Sequence, residues 1–388
     1  MNDILNISED GKKLIEVLDK TITSITIPDS VTEIGSNAFD GCSALKTVTM
    51  PESVTTIGWF AFRDCSTLQS INIPKSVTEI GWHAFGGCSS LQSFNIPEGV
   101  TEIGYGVFHE CTSLHSVTIP TSVKLIDDFA FCNCSSLQSV NIPNGETVIG
   151  DYAFDGCSSL QSVNMPAGVQ RIGHFTFRFC SALQSINIPE GATEIGEHTF
   201  HGCTSLHTIT IPDSVVVIGQ CAFYDCTSLQ HVTLPDSIMK IEHEAFYGCS
   251  SLQYINIPDS VKKIGNWAFK GCSSLQTISL PDSVSIVGSG AFATCTNLKS
   301  IDVNSRHPHF VSIEGVLFDK DKTTLIQYPA GKEDPIFDIP YSVTNIKNFA
   351  FAGCSSLLTI ILPNSMKEIG GLISETSNHS RPSTYLRV

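Results

Sequence analysis

Cysteine and histidine are the side chains of this sequence best placed to do chemistry, through thiolate or imidazole metal binding, disulfides or nucleophilic attack. Thirteen of the 15 cysteines share one register, falling every 23 residues from Cys42 to Cys295 and again at Cys354. Metal sites need sulfurs that converge at short spacings such as C-x-x-C, and a disulfide needs Cα atoms within about 7 Å. A 23-residue step sets each thiol a whole coil from the next, with parallel side chains. The column therefore reads as reduced thiols packed as small apolar groups. Cys132 and Cys221 fall outside it and are the candidates for a reactive thiol.

The stretch "GEHTFHGC" gathers Glu197, His198 and His201. Its spacing is not the i, i+4 helical pair of a zinc hydrolase, and neither a phosphate-binding G-x-x-x-x-G-K loop nor a G-x-S-x-G nucleophile elbow occurs. Asp213, Asp236, Asp259 and Asp282 recur once per coil, which suits a solvated acidic edge; one carboxylate per coil makes a poor Ca²⁺ cage. No catalytic, cofactor-binding or metal-binding residue is assigned, and an enzyme is not expected. Three N-x-[ST] sequons stand at Asn6, Asn133 and Asn378.

What must position these residues is a repeat. Prolines recur every 23 residues from Pro28 to Pro281, phenylalanines keep the same step from Phe39 to Phe292, and the period returns as Pro340, Phe351, Cys354 and Pro363. Within one unit, Val48 and Met50 share a face of a strand while Thr47 and Thr49 take the other. Pro51 ends that strand, because proline has no N–H for a sheet ladder. Ile34, Ala38, Phe39 and Cys42 return the chain over the core, and Gly35 is expected to supply a positive φ at the corner, although Asp127 and Glu242 stand in its column. One unit buries too little apolar surface to offset its ordering entropy, so coils must stack with parallel strands.

The phrase "IPDSVTEIGSNAFDGCSALKTVTM", repeated almost unchanged, resembles the BspA-like class of leucine-rich repeats over residues 22 to about 370. The resemblance implies a mostly-β α/β repeat protein: a right-handed leucine-rich repeat solenoid with a parallel sheet and short coil or helical turns on the other face. It further implies no catalysis and a role in recognition or adhesion, often at the surface of host-associated microbes. Five segments are expected: a capping hairpin at 1–21, the solenoid at 22–303, an inserted hairpin at 304–339, resumed repeats at 340–371 and a disordered tail at 372–388. The last coil lacks its Phe and Cys columns, so the chain reads as a truncated array whose uncapped edge could pair into a homodimer.

The two positions after each Ile-Gly pair vary most and are rich in rings. Trp59, Phe60, Trp82, His83, Tyr105, Phe129, Tyr152, Phe175 and Trp267 lie there and form the candidate contact stripe, since Trp and Tyr are common binding anchors. On the sheet face, Gln69, Gln92, Gln138, Gln161 and Gln184 form one monotonous column and Asn72, Asn95, Asn141, Asn164 and Asn187 another, read as stacking amide ladders. His207, His231 and Tyr254 break that monotony and complete the candidate set.

Composition bounds the partner. With 38 acidic against 22 basic side chains and a formal charge of -16, nucleic acid is excluded as a natural ligand. At 41% apolar and 15% charged the chain is ordered, with no apolar run long enough to span a bilayer. A protein or glycan partner is expected, including host surface or matrix proteins, and no cofactor. The N-terminus lacks a secretory signal. Location is therefore split between the cell surface, from the resemblance, and the cytoplasm, where the chain would be a scaffold or spacer.

Overall fold

The computed structural model describes residues 4–371 and 385–387. The chain divides into two compact units, Met1–Ala192 and Thr193–Val388. Each is a β-solenoid of stacked parallel strands.

Most regular coils carry two short strands. The first holds the alternation read above: in Thr47–Thr49 and Ser139–Asn141 the outer residues are exposed and the middle one buried. Parallel pairing advances by one repeat, Val48 against Ile25 and Val163 against Val140 in unit 1, Ile255 against Val232 in unit 2. The second strand is the Glu-Ile or equivalent pair before the glycine. Ile34, Ile57 and Ile80 pair in sequence in unit 1, as do Ile195, Ile218, Ile241, Ile264 and Val287 in unit 2. The expectation of helical turns is corrected here: no helix forms among the described residues, and this second ladder with tight turns takes that side. The cause is brevity. Between the Ile-Gly pair and the cysteine only six residues remain, and two of them adopt positive φ, which interrupts any helical hydrogen-bond run.

The core is a set of columns. Phe39, Phe62, Phe85, Phe108, Phe131, Phe154 and Phe177 are wholly buried in unit 1, their successive rings stacked at 4.6 to 5.9 Å. Phe200 to Phe292 repeat the arrangement in unit 2 at 5.1 to 5.5 Å. Beside them most column thiols donate to a phenylalanine carbonyl of the preceding coil, as Cys88 Sγ to Phe62 O at 3.1 Å and Cys249 Sγ to Phe223 O at 3.1 Å. All 15 cysteines are free thiols.

The glycine after each Ile needs a different explanation from the one expected. Gly35, Gly58 and Gly81 do not have positive φ. Their constraint is approach: a Cβ on Gly58 would lie 2.6 Å from Ser36 N, and one on Gly81 2.6 Å from Trp59 N. Adjacent coils touch through this column. Positive φ falls instead on the second residue after it, for example Asn37, Phe60 and Tyr152, and on the residue before each column cysteine, for example Gly41, Asp64 and Gly156.

Two departures interrupt the stack. At Asn144 to Thr147 the proline-initiated turn is altered: Thr147 takes a fully buried place, its register to Val169 shifts, and its Oγ1 has no partner among the described residues. In unit 2 Phe310–Ile313, Val316–Asp319 and Thr324–Gln327 form an antiparallel meander, and its last strand pairs in parallel with Asn345–Ile346. At the N-terminal edge, Leu5–Ile7 pairs antiparallel with Lys13–Val17, which leads in parallel into Glu33–Ile34. The tail expected to be disordered lies outside the described residues except Tyr385–Arg387, which pairs in parallel with Thr359–Ile361; the edge expected to pair into a homodimer adjoins that undescribed segment.

Candidate functional site

The two residues after the glycine are placed by the turn. The second has φ between 52° and 59° at Phe60, His83, Phe129, Tyr152 and Phe175. A left-handed conformation at a bulky residue costs about 1 kcal/mol. Stacking with the next coil offsets it, at roughly 0.5–1.5 kcal/mol per pair.

The result in unit 1 is one ribbon of rings. Phe60 stacks on His83 at 5.3 Å, Phe129 on Tyr152 at 4.7 Å and Tyr152 on Phe175 at 4.5 Å, all within 7° of parallel. Gly106 leaves a gap in this column, and Tyr105, one residue earlier, closes it by contacting both His83 and Phe129 at 5.3 Å. Trp59 and Trp82 stack beside the column at 5.3 Å. The glycines form their bed: the Trp59 ring lies over Gly81, Trp82 over Gly104, and His83 over Gly106.

Arginines close over the ribbon. Arg63 sits 4.8 Å from the Phe60 ring centre while both its Nε and Nη2 donate to Asp40 at 2.8 Å. Arg178 lies over Tyr152, Phe175 and Phe179 at 5.2 to 5.3 Å and donates to Asp155 at 2.9 and 2.6 Å. Desolvation first, then the neighbouring His109 and Arg63, lower the His83 pKa from its ordinary value. Trp59 is 51% exposed, Trp82 49% and Tyr105 37%, so the ribbon is an outer surface of the coil rather than core.

The structure does not bring the other candidates into this ribbon. Trp267 meets Phe349 edge-on at 5.7 Å, its indole N–H buried without a partner among the described residues. His207 lies exposed on the sheet face, where its Nδ1 is 2.6 Å from Ser205 O. His231 and Tyr254 are register neighbours there, Tyr254 being 59% exposed. Sequence reading missed a second stack in unit 2, His201 on Tyr224 at 4.5 Å and Tyr224 on Tyr247 at 4.5 Å, ending under Lys270. Its signal was available: these residues directly follow the core Phe column.

The reactive candidates are quiet. Cys132 and Cys221 are buried, and desolvation pushes each thiol up to about 12, Cys221 with further help from Glu244, which accepts its S–H at 3.1 Å. His198 and His201 pair through their Nδ1 atoms at 2.9 Å. No group of three or more His, Cys, Asp or Glu that could hold a metal ion occurs among the described residues. No helix of the described residues is long and apolar enough to cross a membrane.

Two ladders of short parallel strands per coil, closed over columns of Leu, Phe and Cys, define a leucine-rich repeat solenoid. The chain belongs to the BspA type leucine rich repeat family, whose repeat region matches residues 18–134, 101–230, 193–326 and 335–379 in six copies. A leucine-rich repeat protein of Bacteroides ovatus is similar at 30% identity and a TM-score of 0.72, over 95% of this chain and 90% of that one. A leucine rich cell surface protein of Faecalibacterium prausnitzii is 36% identical, with a TM-score of 0.53, over 76% and 83%. A leucine-rich repeat protein of Eubacterium ventriosum shares the fold at 24% identity and a TM-score of 0.50, over 73% and 88%. No curated protein matches the chain.

Proposed function

We propose that this chain is a non-enzymatic recognition protein that presents the aromatic ribbon of unit 1 to a protein partner at a cell surface. The observation that carries this reading is the continuity of the ribbon together with the half-exposure of Trp59 and Trp82. Large, rigid, amphipathic rings are the residues that most often anchor interfaces. Here each is locked by its neighbours before any partner arrives, which lowers the ordering cost of binding. Repeated contacts on one rigid body also let weak sites add through effective concentration.

Ring geometry favours protein over glycan for this surface. A sugar that binds by stacking on aromatic side chains needs a free ring face, and the faces of Phe129, Tyr152 and Phe175 are taken up by one another. What remains for a partner is a ridge of ring edges and rims, suited to apolar and main-chain groups of a protein. The similarity to a cell surface protein supports the location.

The test is binding of the purified chain to a panel of extracellular matrix proteins by surface plasmon resonance, with Trp59→Ser/Trp82→Ser alongside. Loss of affinity by roughly 30-fold or more at unchanged thermal stability is expected, since one anchor is worth about 2 kcal/mol. Equal loss of folding would mean that the ribbon is packing alone.

A further inference from the structure

A second feature of unit 1 stands apart from the ribbon and does not rest on it. Gln92, Ser113, His115, Ser136, Gln138 and Ser159 line a shallow cavity of about 480 Å³. They come from neighbouring coils. Gln92, His115 and Gln138 share one column; Ser113, Ser136 and Ser159 share another, each just before a buried core leucine. Main-chain bonds hold the first column in place, His115 N donating to Gln92 O at 3.0 Å and Gln161 N to Gln138 O at 2.8 Å.

The main chain is committed, but the side chains are not. Among the described residues, none of these six side chains is hydrogen-bonded to the protein. In the neighbouring Asn column some side chains are taken up, Asn164 Nδ2 donating to Asn141 Oδ1 at 2.6 Å and Thr118 Oγ1 to Asn95 Oδ1 at 2.9 Å, whereas the other glutamines of the His115 column, such as Gln69 and Gln161, are as uncommitted among the described residues as those at the cavity. His207 occupies the same column as His115 in unit 2, and its ring is tied to Ser205 O. His115 interrupts the glutamines of its own column, and it does so at this cavity.

Amides, hydroxyls and an imidazole both donate and accept. No Asp, Glu, Lys or Arg side chain and no Phe, Tyr or Trp ring lines the cavity. An anion finds no cation there, in a chain of net charge -16, and an apolar group would dehydrate six polar side chains without replacing their water bonds. A neutral polyol, whose hydroxyls each donate and accept at fixed angles around a small ring, matches both the lining and the volume. We infer that this cavity is a subsite for a neutral saccharide of one or two rings, with His115 as its distinguishing contact.

The experiment is a saturation-transfer NMR titration of the intact chain with glucose, galactose, N-acetylglucosamine and lactose, each alone. A small, shallow, polar ligand site predicts a Kd on the order of 1 mM for at least one of them. His115→Ala/Gln138→Ala removes two exposed side chains and is expected to weaken that binding at least 10-fold without shifting thermal unfolding. Trp59→Ser/Trp82→Ser is expected to leave it unchanged, which separates this subsite from the protein-binding ribbon. Absence of saturable binding below about 100 mM for every sugar overturns the inference. So does equal binding by the His115→Ala/Gln138→Ala variant, or loss of binding in the tryptophan variant.

Discussion

The two units build their coil-to-coil ring stacks in different columns. In unit 1 the rings occupy the turn positions after the glycine, five of them in left-handed conformation: Phe60, His83, Phe129, Tyr152 and Phe175. In unit 2 that position still holds His198, Trp267 and Phe349, but Cys221 and Glu244 interrupt it, and the coil-to-coil stack moves to His201, Tyr224 and Tyr247, which follow the core Phe and are free of positive φ. The difference teaches that the repeat specifies its core columns tightly and leaves two neighbouring surface columns interchangeable. Stacking at one coil per ring is available in either place, and the strain is paid in only one.

The largest effect expected tests what the units share. Phe131→Ala in unit 1 and Phe269→Ala in unit 2 should each destabilise by about 4 kcal/mol in urea unfolding, because both rings are wholly buried. Unequal losses would show that the core columns differ between the units as well. Next comes Gly81→Ala, whose Cβ would meet Trp59 Cδ1 at 2.5 Å; overpacking of this kind costs about 2 kcal/mol, read as a shifted denaturation midpoint.

A sharper comparison is Tyr152→Gly against Tyr224→Gly. Both lose a stacked ring, but only Tyr152 has positive φ, 59°, so glycine there also relieves strain. Tyr224→Gly is expected to be more damaging by about 1 kcal/mol. Equal values would mean that the turn strain is negligible.

Acidification should act in both units, and weakly. His83 in the unit 1 ribbon and His307 in the unit 2 insert both have pKa values lowered first by desolvation. A lowered histidine pKa means that the unfolded chain takes up protons first. The contribution is therefore full above the unfolded value near 6.5 and is lost as pH falls from there toward the folded value. His307 loses more than charge: its Nδ1 accepts from His309 N and Phe310 N at 3.1 Å, and its Nε2 lies 3.0 Å from Pro281 O. Thermal unfolding at pH 7.5 and 5.5 should show a drop in the parent that His83→Phe reduces. An unchanged drop would assign the whole effect to other groups, His307 first among them.

The smallest change expected is none. The column cysteines and the two outliers should all resist a thiol reagent in the native state, because burial raises their pKa values and most of the column S–H groups are committed to carbonyls. Rapid native labelling of Cys132 or Cys221 would show that its coil opens locally.

Periodicity made the architecture legible. A 23-residue step in Pro, Phe and Cys admits little except stacked coils, and the alternation around Val48 places the first strand. The ribbon was legible as a set of ring-bearing positions from Trp59 to Phe175. Its continuity was not, because Tyr105 closes the gap at Gly106 from a different column, and no repeat alignment announces that. The glycine column misled for a related reason: one chain shows a residue without a side chain, and either positive φ or close approach can require it.

What the sequence by itself determined is therefore local and periodic: where strands stop at proline, which faces are apolar, and that one coil must lie against the next. Tertiary structure alone decided what the columns touch. It put Ser36 N against Gly58, committed thiols to carbonyls of the coil before, spent ring faces on one another, and left the side chains around His115 unspent. The physical reason is that these contacts join residues 22 or more positions apart, and their distances depend on how closely coils settle, which no single repeat encodes.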